Sequence, residues 1–406
     1  MNNQNTNTAT IIFIVIIIII CLIYISKFYI NIFILISRGI ITPNEFWWKI
    51  NDLFISKHEI SDSLDEYKIG DHDISLLGNN FKIVNNIDDV RYILENSPKI
   101  FKRGKIKYNF FKVLMPNNVG ITYETDIWQK RRYMNENILG TNHIKYDLIQ
   151  NLKSKIISIV NSNINYSSRE DFVYLGKNVT KLIVFGNIDI SDKIFDLIKT
   201  PSFFELIFFT DNNNNNNNFN QEWNEILQTS KIGNISLVGK LKESYNILDN
   251  EIIDQIPHWI FPMFGSISIT LPRLLLLDSL YTNNLEDVPI RNKILETLRL
   301  YNPVITLFRL NPETNKEYLI FVQMFLRDSK YFPNPNKYDP TRWNDKNLEF
   351  QMYSLMFSQG PQICPGKNLI LFLLEILFIE VKPFFISQKM LDINDLPDSL
   401  NPFDLF

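Results

Sequence analysis

Apolar residues recur at helical spacing along most of this chain, and two stretches alternate between apolar and polar residues as strands do. Residues 146–164 and 290–301 place apolar side chains three and four positions apart, which predicts amphipathic helices. Residues 67–84 and 304–325 contain short alternating runs separated by turn residues, which predicts hairpins. We therefore expect a mainly α domain with a smaller β-rich part.

The N-terminal pattern differs, because it is apolar on every side. Residues 9–25 contain Thr10 as their one clearly polar residue, and a second apolar stretch follows at 28–36. A helix of about 20 apolar residues crosses the hydrocarbon core of a membrane. A cleaved signal peptide is the alternative, but the sequence has neither its basic leading segment nor its small-residue cleavage site. We therefore predict one transmembrane anchor at residues 9–36.

The distribution of basic residues predicts the orientation of this anchor. No lysine or arginine precedes the apolar run, whereas Lys27, Arg38 and Lys49 follow it. Positive charge stays on the cytosolic side of a membrane. Residues 1–8 should therefore be lumenal, and residues 38–406 cytosolic.

Composition excludes several classes of function. The net charge of −3 comes without a basic stripe, so no nucleic-acid partner is expected. Phosphate-binding loops of the GxGxxG or GxxxxGK(S/T) type do not occur, and the 4 histidines lack zinc spacing. Cys21 lies in the anchor and Cys364 near the C-terminus, so a disulfide is not expected. Residues 38–406 contain no linker or repeat and are interpreted as one domain with a low-complexity loop insert at 212–218.

The strongest chemical signal is the segment 357–366, FSQGPQICPG. Cys364 lies there between Gly360 and Gly366, and an apolar helix is predicted directly after it. Glycines permit close backbone approach, and the N–H groups at a helix start stabilise a thiolate. A buried structural cysteine is the alternative. With 13 Gly and 31 Phe in 406 residues, a Phe and two Gly at these spacings rarely coincide, which favours a metal-binding thiolate.

This segment resembles the haem-binding loop of the cytochrome P450 family, FxxGxRxCxG. Two motifs occur upstream in the order of that family: Glu296 and Arg299 match its ExxR motif, and residues 331–343 resemble its segment ending in PERF. The resemblance implies a cytochrome P450 fold in which Cys364 is the thiolate ligand of the iron of haem b, iron protoporphyrin IX. It also implies that Arg342 joins Glu296 and Arg299 in a structural triad, as buried charges require partners.

Trp128 and Arg132 match the WxxxR motif of the same family. There the arginine pairs with a haem propionate and the tryptophan packs nearby, so the resemblance implies these roles here; a surface arginine beside a core tryptophan is the alternative. Arg309, in the β-rich stretch, is a further propionate candidate. The cofactor-binding residues implied by the resemblance are Cys364, Trp128, Arg132, Arg309, Phe357, Gly360 and Gly366.

Two positions depart from the family pattern. Gln362 stands where the family carries an arginine, so a neutral amide replaces a charged propionate ligand and Arg132 should carry more of the haem binding. The long central helix of the family carries (A/G)Gx(D/E)TT, and the nearest match here is FGSISIT. Gly265 and Ser268 are therefore the predicted catalytic positions, while Ile267 occupies the place of the acid and cannot relay a proton.

These patterns lead to one favoured function and two alternatives. The resemblance implies a microsomal haem-thiolate monooxygenase, an oxidoreductase that inserts one atom of O2 into a lipophilic substrate with electrons from NADPH-cytochrome P450 reductase. Its single-pass anchor would place it in the endoplasmic reticulum membrane, among membrane lipid. A haem-thiolate isomerase or dehydratase acting on a lipid hydroperoxide would need no acid at position 267. An inactive family member that binds haem poorly is the other alternative.

Overall fold

The computed structural model describes residues 72–76, 79–84, 86–104, 107–108, 125–141, 147–163, 165–197, 225, 228, 231–244, 255–281, 288–304, 306–352, 354–397, 400 and 405–406. All of them belong to one unit of the chain, Ser61–Phe406. The predicted lumenal residues 1–8, the predicted anchor at 9–36 and the asparagine-rich insert at 212–218 lie outside the described residues.

Helices make up most of the described chain, and they are accompanied by a five-stranded sheet. The helices are α1 (Ile87–Glu95), α2 (Thr125–Leu139), α3 (Asp147–Asn161), α4 (Arg169–Phe185), α5 (Lys193–Leu197), α6 (Leu237–Ser244), α7 (Ile256–Gly265), α8 (Leu271–Leu280), α9 (Ile290–Leu300), α10 (Val322–Leu326), α11 (Lys346–Met352) and α12 (Lys367–Val381). The strands are β1 (His72–Leu76), β2 (Asn79–Ile83), β3 (Lys102–Arg103), β4 (Thr306–Asn311) and β5 (Lys316–Phe321). The predicted mainly α class with a smaller β part is confirmed.

Two helices coincide with the most periodic segments of the sequence. The segment predicted at 146–164 is α3, and the segment predicted at 290–301 is α9. Helix α3 buries a stripe that consists of Leu148, Ile149, Leu152, Ile156, Ile159 and Val160. This stripe recurs at the helical period, so one face of the helix lies against the core. Both predictions are confirmed, with ends that differ by a few residues.

The strands are ordered β1-β2-β5-β4-β3 in the sheet. The two predicted hairpins are the antiparallel pairs β1–β2 and β4–β5, and they are joined by the parallel pairing of β2 with β5. Strand β3 lies on the outer side of β4, where Arg103 is directly opposite Arg309. The stretch predicted as strand at 304–325 is too long, because the chain turns into α10 after Phe321 and buries Val322 and Phe325 in the core.

One helical run, Ile256–Leu280, crosses the core and consists of α7, a π-helical turn at Ser266–Thr270 and α8. Among the described residues it is the one helix long and apolar enough to cross a membrane. However, 67% of its most apolar window is buried inside the protein, as is typical of a core helix. Turns of π type within α-helices frequently mark functional sites, which draws attention to the residues around Ser266–Thr270.

A buried ion cluster connects this helical run to the helices behind it. The carboxylate of Asp278 in α8 lies 2.9 Å from Nζ of Lys293 in α9 and 2.7 Å from Nζ of Lys382, directly after α12. The side chains of Asp278 and Lys293 are 2% and 6% exposed. A buried carboxylate is stable when cations surround it, whereas loss of one partner leaves an uncompensated charge. The cluster therefore holds α8, α9 and the end of α12 together.

Candidate functional site

Cys364 lies in the segment 357–366, called here the cysteine loop, between a 3-10 turn and the start of α12. Its backbone N–H donates to the carbonyl oxygen of Phe357 at 2.7 Å, which closes the loop. Gly360 has a φ of 83°, and a Cβ at this position would collide with the carbonyl oxygen of Leu94 in α1. Only glycine adopts a positive φ and also lets another backbone approach this closely. Gly360 therefore allows the loop to pack directly against α1.

Two glycines border open space near the cysteine. Gly366 is the N-cap of α12, and Gly265 ends α7. A Cβ added to either residue would meet no atom of the described residues within 4 Å. Cys364 also keeps part of its surface accessible, although it lies within the fold. The protein therefore has room for a further group at the cysteine loop and along α7.

Burial raises the pKa of the Cys364 thiol. A backbone hydrogen bond from Gly366 opposes this shift. Three cations oppose it as well, namely Arg132, Lys107 and Lys367. Desolvation penalises the thiolate anion. In the protein alone, burial therefore raises the pKa of the thiol more than the N–H groups at the start of α12 lower it. A bound metal ion would remove the proton, because thiols ligate metals as thiolates.

Helix α2 docks against the cysteine loop through hydrogen bonds to the loop backbone. Arg132 donates from Nη1 to the carbonyl oxygen of Ile363, and its Nε is paired with Glu136 at 2.6 Å. At the end of the helix, Thr141 Oγ1 donates to another carbonyl of the loop at 2.6 Å. Trp128 is buried one turn before Arg132. The structure thus brings the predicted Arg132 to the loop and buries Trp128 one turn earlier in the same helix.

Arg309 reaches the same loop from the sheet. Its Nη2 donates to Ser358 Oγ at 3.0 Å and its Nε to Ser97 Oγ at 3.1 Å. Arg103 faces it across the β3–β4 pairing, and its buried Nε has no hydrogen-bond partner among the described residues. Burial and the charge of Arg132 lower the pKa of Arg103 to about 10, and burial and the charge of Arg103 lower the pKa of Arg309 well below its usual value. Like charges opposite one another destabilise a sheet, so this pair suits a bound anion.

Lys107 adds to the cations around the cysteine loop and interacts electrostatically with His258 in α7. Burial and the charges of Arg103 and Arg309 lower the pKa of Lys107 to about 7, while Cys364 acts in the opposite direction. Burial, with the charges of Lys107 and Arg103, lowers the pKa of His258 in α7 to about 4. His258 is therefore neutral at pH 7. These electrostatic interactions connect the cysteine loop, Arg103, Arg309 and His258 through Lys107.

The predicted catalytic positions of the central helix have different surroundings. Gly265 borders open space. Ser268 is 9% exposed, and its Oγ donates to the carbonyl oxygen of Phe264 at 2.7 Å, which leaves the hydroxyl lone pairs as acceptors. Ile267 is fully buried in the hydrophobic core. The partly exposed positions that share one face of the helix are His258, Phe261, Gly265 and Ile269.

Gln362 lies in the protein interior. It is 2% exposed, and in the part of the chain that the structure describes neither of its amide atoms has a hydrogen-bond partner. A buried polar group left in this state costs about 1–3 kcal/mol. Since an amide carries no charge, the positive charge around the cysteine loop comes from other residues. Arg132 and Lys367 act on Cys364, and Arg309 donates to Ser358 of the loop.

Behind the loop, Glu296 and Arg299 of α9 form a fully buried ion pair. Arg299 donates from Nη2 and Nε to the two carboxylate oxygens at 2.8 and 2.9 Å, and both side chains are 0% exposed. Arg342 Nε lies 3.5 Å from Glu296 Oε1, so the structure brings the predicted triad together. Trp343 Nε1 and the backbone N–H of Asp339 also donate to Glu296, each at 3.0 Å. The carboxylate is therefore surrounded by donors, as a buried charge requires.

Sequence reasoning missed Arg103 and Trp343. Trp343 belongs to the segment 331–343 on which the triad was predicted, but the direction of its indole cannot be read from a motif. Arg103 precedes Gly104, at which a Cβ would collide with Phe308. An arginine directly before a glycine was therefore the feature of the sequence that could have drawn attention to Arg103. Its position opposite Arg309 depends on strand register, which spacing in the sequence does not reveal.

These features fit a flat metal cofactor that carries two carboxylates. Cys364 supplies a soft thiolate ligand, of the kind that binds haem iron. Gly366 and Gly265 leave the space that such a group would fill. The crowding of Arg103 and Arg309, each with a lowered pKa, would be relieved by the negative charge of the carboxylates. Haem thus agrees with the residues present.

Comparison with known proteins shows similarity to one family. Residues 282–381 match the family model described as Cytochrome P450. Cytochrome P450 2C54 of Mus musculus is 42% identical over 79 residues, which is 18% of this chain and 16% of that protein. Cytochrome P450 85A3 of Solanum lycopersicum is 29% identical over 166 residues, which is 32% of this chain and 35% of that protein. The matches thus span well under half of the length of either relative.

A solved structure shares the fold over most of the chain. It is P450BioI in complex with acyl carrier protein ligated to hexadec-9Z-enoic acid, and it superposes with a TM-score of 0.60 at 14% sequence identity. The superposition covers 82% of this chain and 92% of that chain. The predicted cytochrome P450 fold is therefore confirmed.

Proposed function

The chain belongs to the cytochrome P450 family, and from this premise we propose that it is a haem-thiolate monooxygenase acting on a lipophilic substrate. The observation that carries the proposal is the placement of Cys364, whose side chain is partly accessible. Its loop packs against α1, accepts a hydrogen bond from Arg132 of α2 and accepts another from Arg309. When bound, haem with a thiolate ligand supplies the chemistry of O2 activation.

Each residue around the loop has a proposed part in binding this cofactor. Cys364 would ligate the iron. Arg132, Arg309 and Arg103 would bind the haem carboxylates, because guanidinium groups form charge-assisted hydrogen bonds with carboxylates. Arg103 is added to the predicted pair because it lies opposite Arg309 and because, in the part of the chain that the structure describes, its Nε has no hydrogen-bond partner.

Behind the loop, the buried triad keeps the supporting elements in place. Glu296 and Arg299 belong to α9, and Arg342 approaches from the 331–343 segment. Arg299 also donates to backbone carbonyls of that region, including Pro335 at 2.7 Å. Breaking the triad would therefore release the segment as well as unpair a charge.

On the side of α7, Gly265 leaves room for substrate and O2, and Ser268 accepts a hydrogen bond from water or substrate with its free lone pairs. Ile267 cannot contribute to proton delivery, because it has no ionisable group and its side chain packs in the core. Ser268 and bound water are therefore the proposed route for protons at this position of the helix.

The electron donor, the membrane and the cell compartment are proposed from the family resemblance and from the N-terminal sequence. We propose NADPH-cytochrome P450 reductase as the donor. The apolar run at 9–36, which lies outside the described residues, would anchor the enzyme in the endoplasmic reticulum membrane with its catalytic domain in the cytosol. Lipophilic substrates would reach it from the bilayer.

Carbon monoxide spectroscopy tests the proposal. After reduction with dithionite under CO, the purified full chain should show the long-wavelength Soret band typical of thiolate ligation, and Cys364→Ser should lose it. Failure to take up haem would overturn the proposal, and an unchanged band in Cys364→Ser would show that Cys364 is not the ligand. Turnover with NADPH, reductase and O2 is expected. Turnover with a lipid hydroperoxide alone would instead identify the isomerase or dehydratase activity.

A further inference from the structure

Helix α2, which holds the cysteine loop, is joined to α7 by a buried hydrogen-bond network centred on Asn135. We propose that Asn135 is a positioning residue, which acts through Arg132 to fix the cysteine loop in place relative to α7. The inference rests on the proposed function and deepens it, because it adds a residue outside the set that would bind the cofactor.

The side-chain amide of Asn135 makes three hydrogen bonds. Its Nδ2 donates to Gln255 Oε1 at 2.7 Å, and its Oδ1 accepts from Trp259 Nε1 at 2.7 Å. The third bond stays within α2 and runs from Nδ2 to the carbonyl oxygen of Arg131 at 2.9 Å. Gln255 is the N-cap residue of α7, and Trp259 lies in the first turn of that helix. One amide of α2 is therefore bonded to the start of α7 at two points.

Burial makes this network a constraint on the two helices. Asn135 is 5% exposed, Trp259 is 3% exposed and Gln255 is 0% exposed. A buried polar group that loses its partner has no water to replace it, so it loses free energy of solvation without compensation. Asparagine is also a weak helix former, so local preference does not account for Asn135 in the interior of α2. The two helices therefore cannot move apart without leaving polar groups unpaired.

The same helix holds the backbone of the cysteine loop on both sides of the cysteine. Arg132, three residues before Asn135, donates to the carbonyl oxygen of Ile363. Thr141, directly after the helix, donates to the carbonyl oxygen of Pro365 at 2.6 Å. Protein interiors are close-packed and transmit displacement, so a movement of α2 would move both contacts. Asn135 thus connects α7 to the cysteine loop through α2.

A purely structural role is the alternative, in which the network stabilises the fold and leaves the loop unaffected. If Asn135 acts through Arg132, its effect on the loop must disappear once Arg132 is removed. Independent contributions of two residues would instead add in free energy. A double-mutant cycle of Asn135 with Arg132 therefore separates the two roles.

The test measures the rate of haem transfer from the full-chain holoenzyme to apomyoglobin. Asn135→Leu should speed the transfer about tenfold, as expected for the loss of a buried hydrogen bond. Trp259→Phe removes only the bond from α7 and should speed it about fivefold. In the Arg132→Leu background, Asn135→Leu should add less than about twofold. Asn135→Asp keeps the shape and the acceptor for Trp259, and it should stay within about twofold of the wild type.

Hydrogen exchange of residues 357–366 in the haem-free full chain gives a readout that does not depend on the cofactor. The Cys364 N–H donates to the Phe357 carbonyl oxygen within this segment, and its exchange should be several times faster in Asn135→Leu. Asn178→Leu is the matched control. Asn178 is a buried asparagine of α4 that donates to the carbonyl oxygen of Tyr174 at 3.1 Å, and among the described residues its side chain bonds only within its own helix. This variant should change neither measurement.

The inference is overturned if the effects of Asn135→Leu and Arg132→Leu on haem transfer multiply, or if Asn135→Leu leaves haem transfer and loop exchange unchanged. If Asn135→Leu does not fold, Trp259→Phe decides, because a rate of haem transfer equal to that of the wild type would also overturn the inference. If the wild type takes up no haem while Asn135→Leu still speeds exchange in the loop, the monooxygenase proposal fails and the connection between α7 and the loop stands.

Discussion

Glu296→Gln tests the buried triad directly, because it removes one charge while keeping the shape of the side chain. The carboxylate accepts from Arg299 at 2.8 and 2.9 Å and from Trp343 and the Asp339 N–H at 3.0 Å. In the variant, an amide NH2 would face these donors, and the fully buried guanidinium of Arg299 would lose its counter-charge. Breaking a buried ion pair in this way costs about 3–5 kcal/mol, a large share of the 5–15 kcal/mol of free energy of unfolding that is usual for a domain.

Urea denaturation followed by tryptophan fluorescence measures this loss as a shift of the midpoint at unchanged slope. Asp88→Asn is the control, because Asp88 is 81% exposed and its pair with Arg91 at 3.4 Å should contribute less than about 0.5 kcal/mol. Trp343→Phe should be intermediate, at about 1–3 kcal/mol, since it deletes one hydrogen bond to the carboxylate. A Glu296→Gln variant within about 1 kcal/mol of the wild type would refute the reasoning, because the charge would then not be needed to compensate Arg299.

Three further predictions follow from single contacts. Gly360→Ala should lower the free energy of unfolding by about 1–3 kcal/mol or more, because its φ of 83° and the Leu94 carbonyl exclude a Cβ. Gly366→Ala should instead keep the melting temperature and lower the haem content measured in a pyridine haemochrome assay, because its Cβ would meet no described atom within 4 Å. Asp278→Asn should cost about 3–5 kcal/mol in thermal unfolding, since it removes a buried counter-charge of Lys293, and an unchanged melting temperature would contradict the buried ion cluster. The pKa of His258 falls from 6.5 to about 4 on folding. Its contribution to the free energy of unfolding is therefore fully present above about pH 6.5 and is lost as the pH falls towards 4. His258→Phe should flatten this part of the curve of stability against pH, and a curve identical to that of the wild type would contradict the lowered pKa.

The sequence by itself determined the features that depend on neighbours along the chain. Helices α3 and α9 follow from apolar spacing, and the two hairpins follow from alternating runs with turns between them, because the period of a helix or strand is a local property. The cysteine loop and the ExxR pair were recognisable for the same reason, since Gly360, Cys364 and Gly366 lie within ten residues and Glu296 and Arg299 within one turn. The membrane anchor at 9–36 stays a prediction.

The tertiary structure decided which distant residues meet. The position of Arg103 opposite Arg309 depends on the register of β3 and β4, and the bond from Trp343 to the triad depends on how a 3-10 turn packs on α9. The tertiary structure also decided which groups are buried. Gln362 lies in the interior, and burial raises the pKa of Cys364 more than the start of α12 lowers it. Register, burial and the direction of a side chain arise from contacts between segments far apart in the chain, and a local pattern therefore carries no record of them.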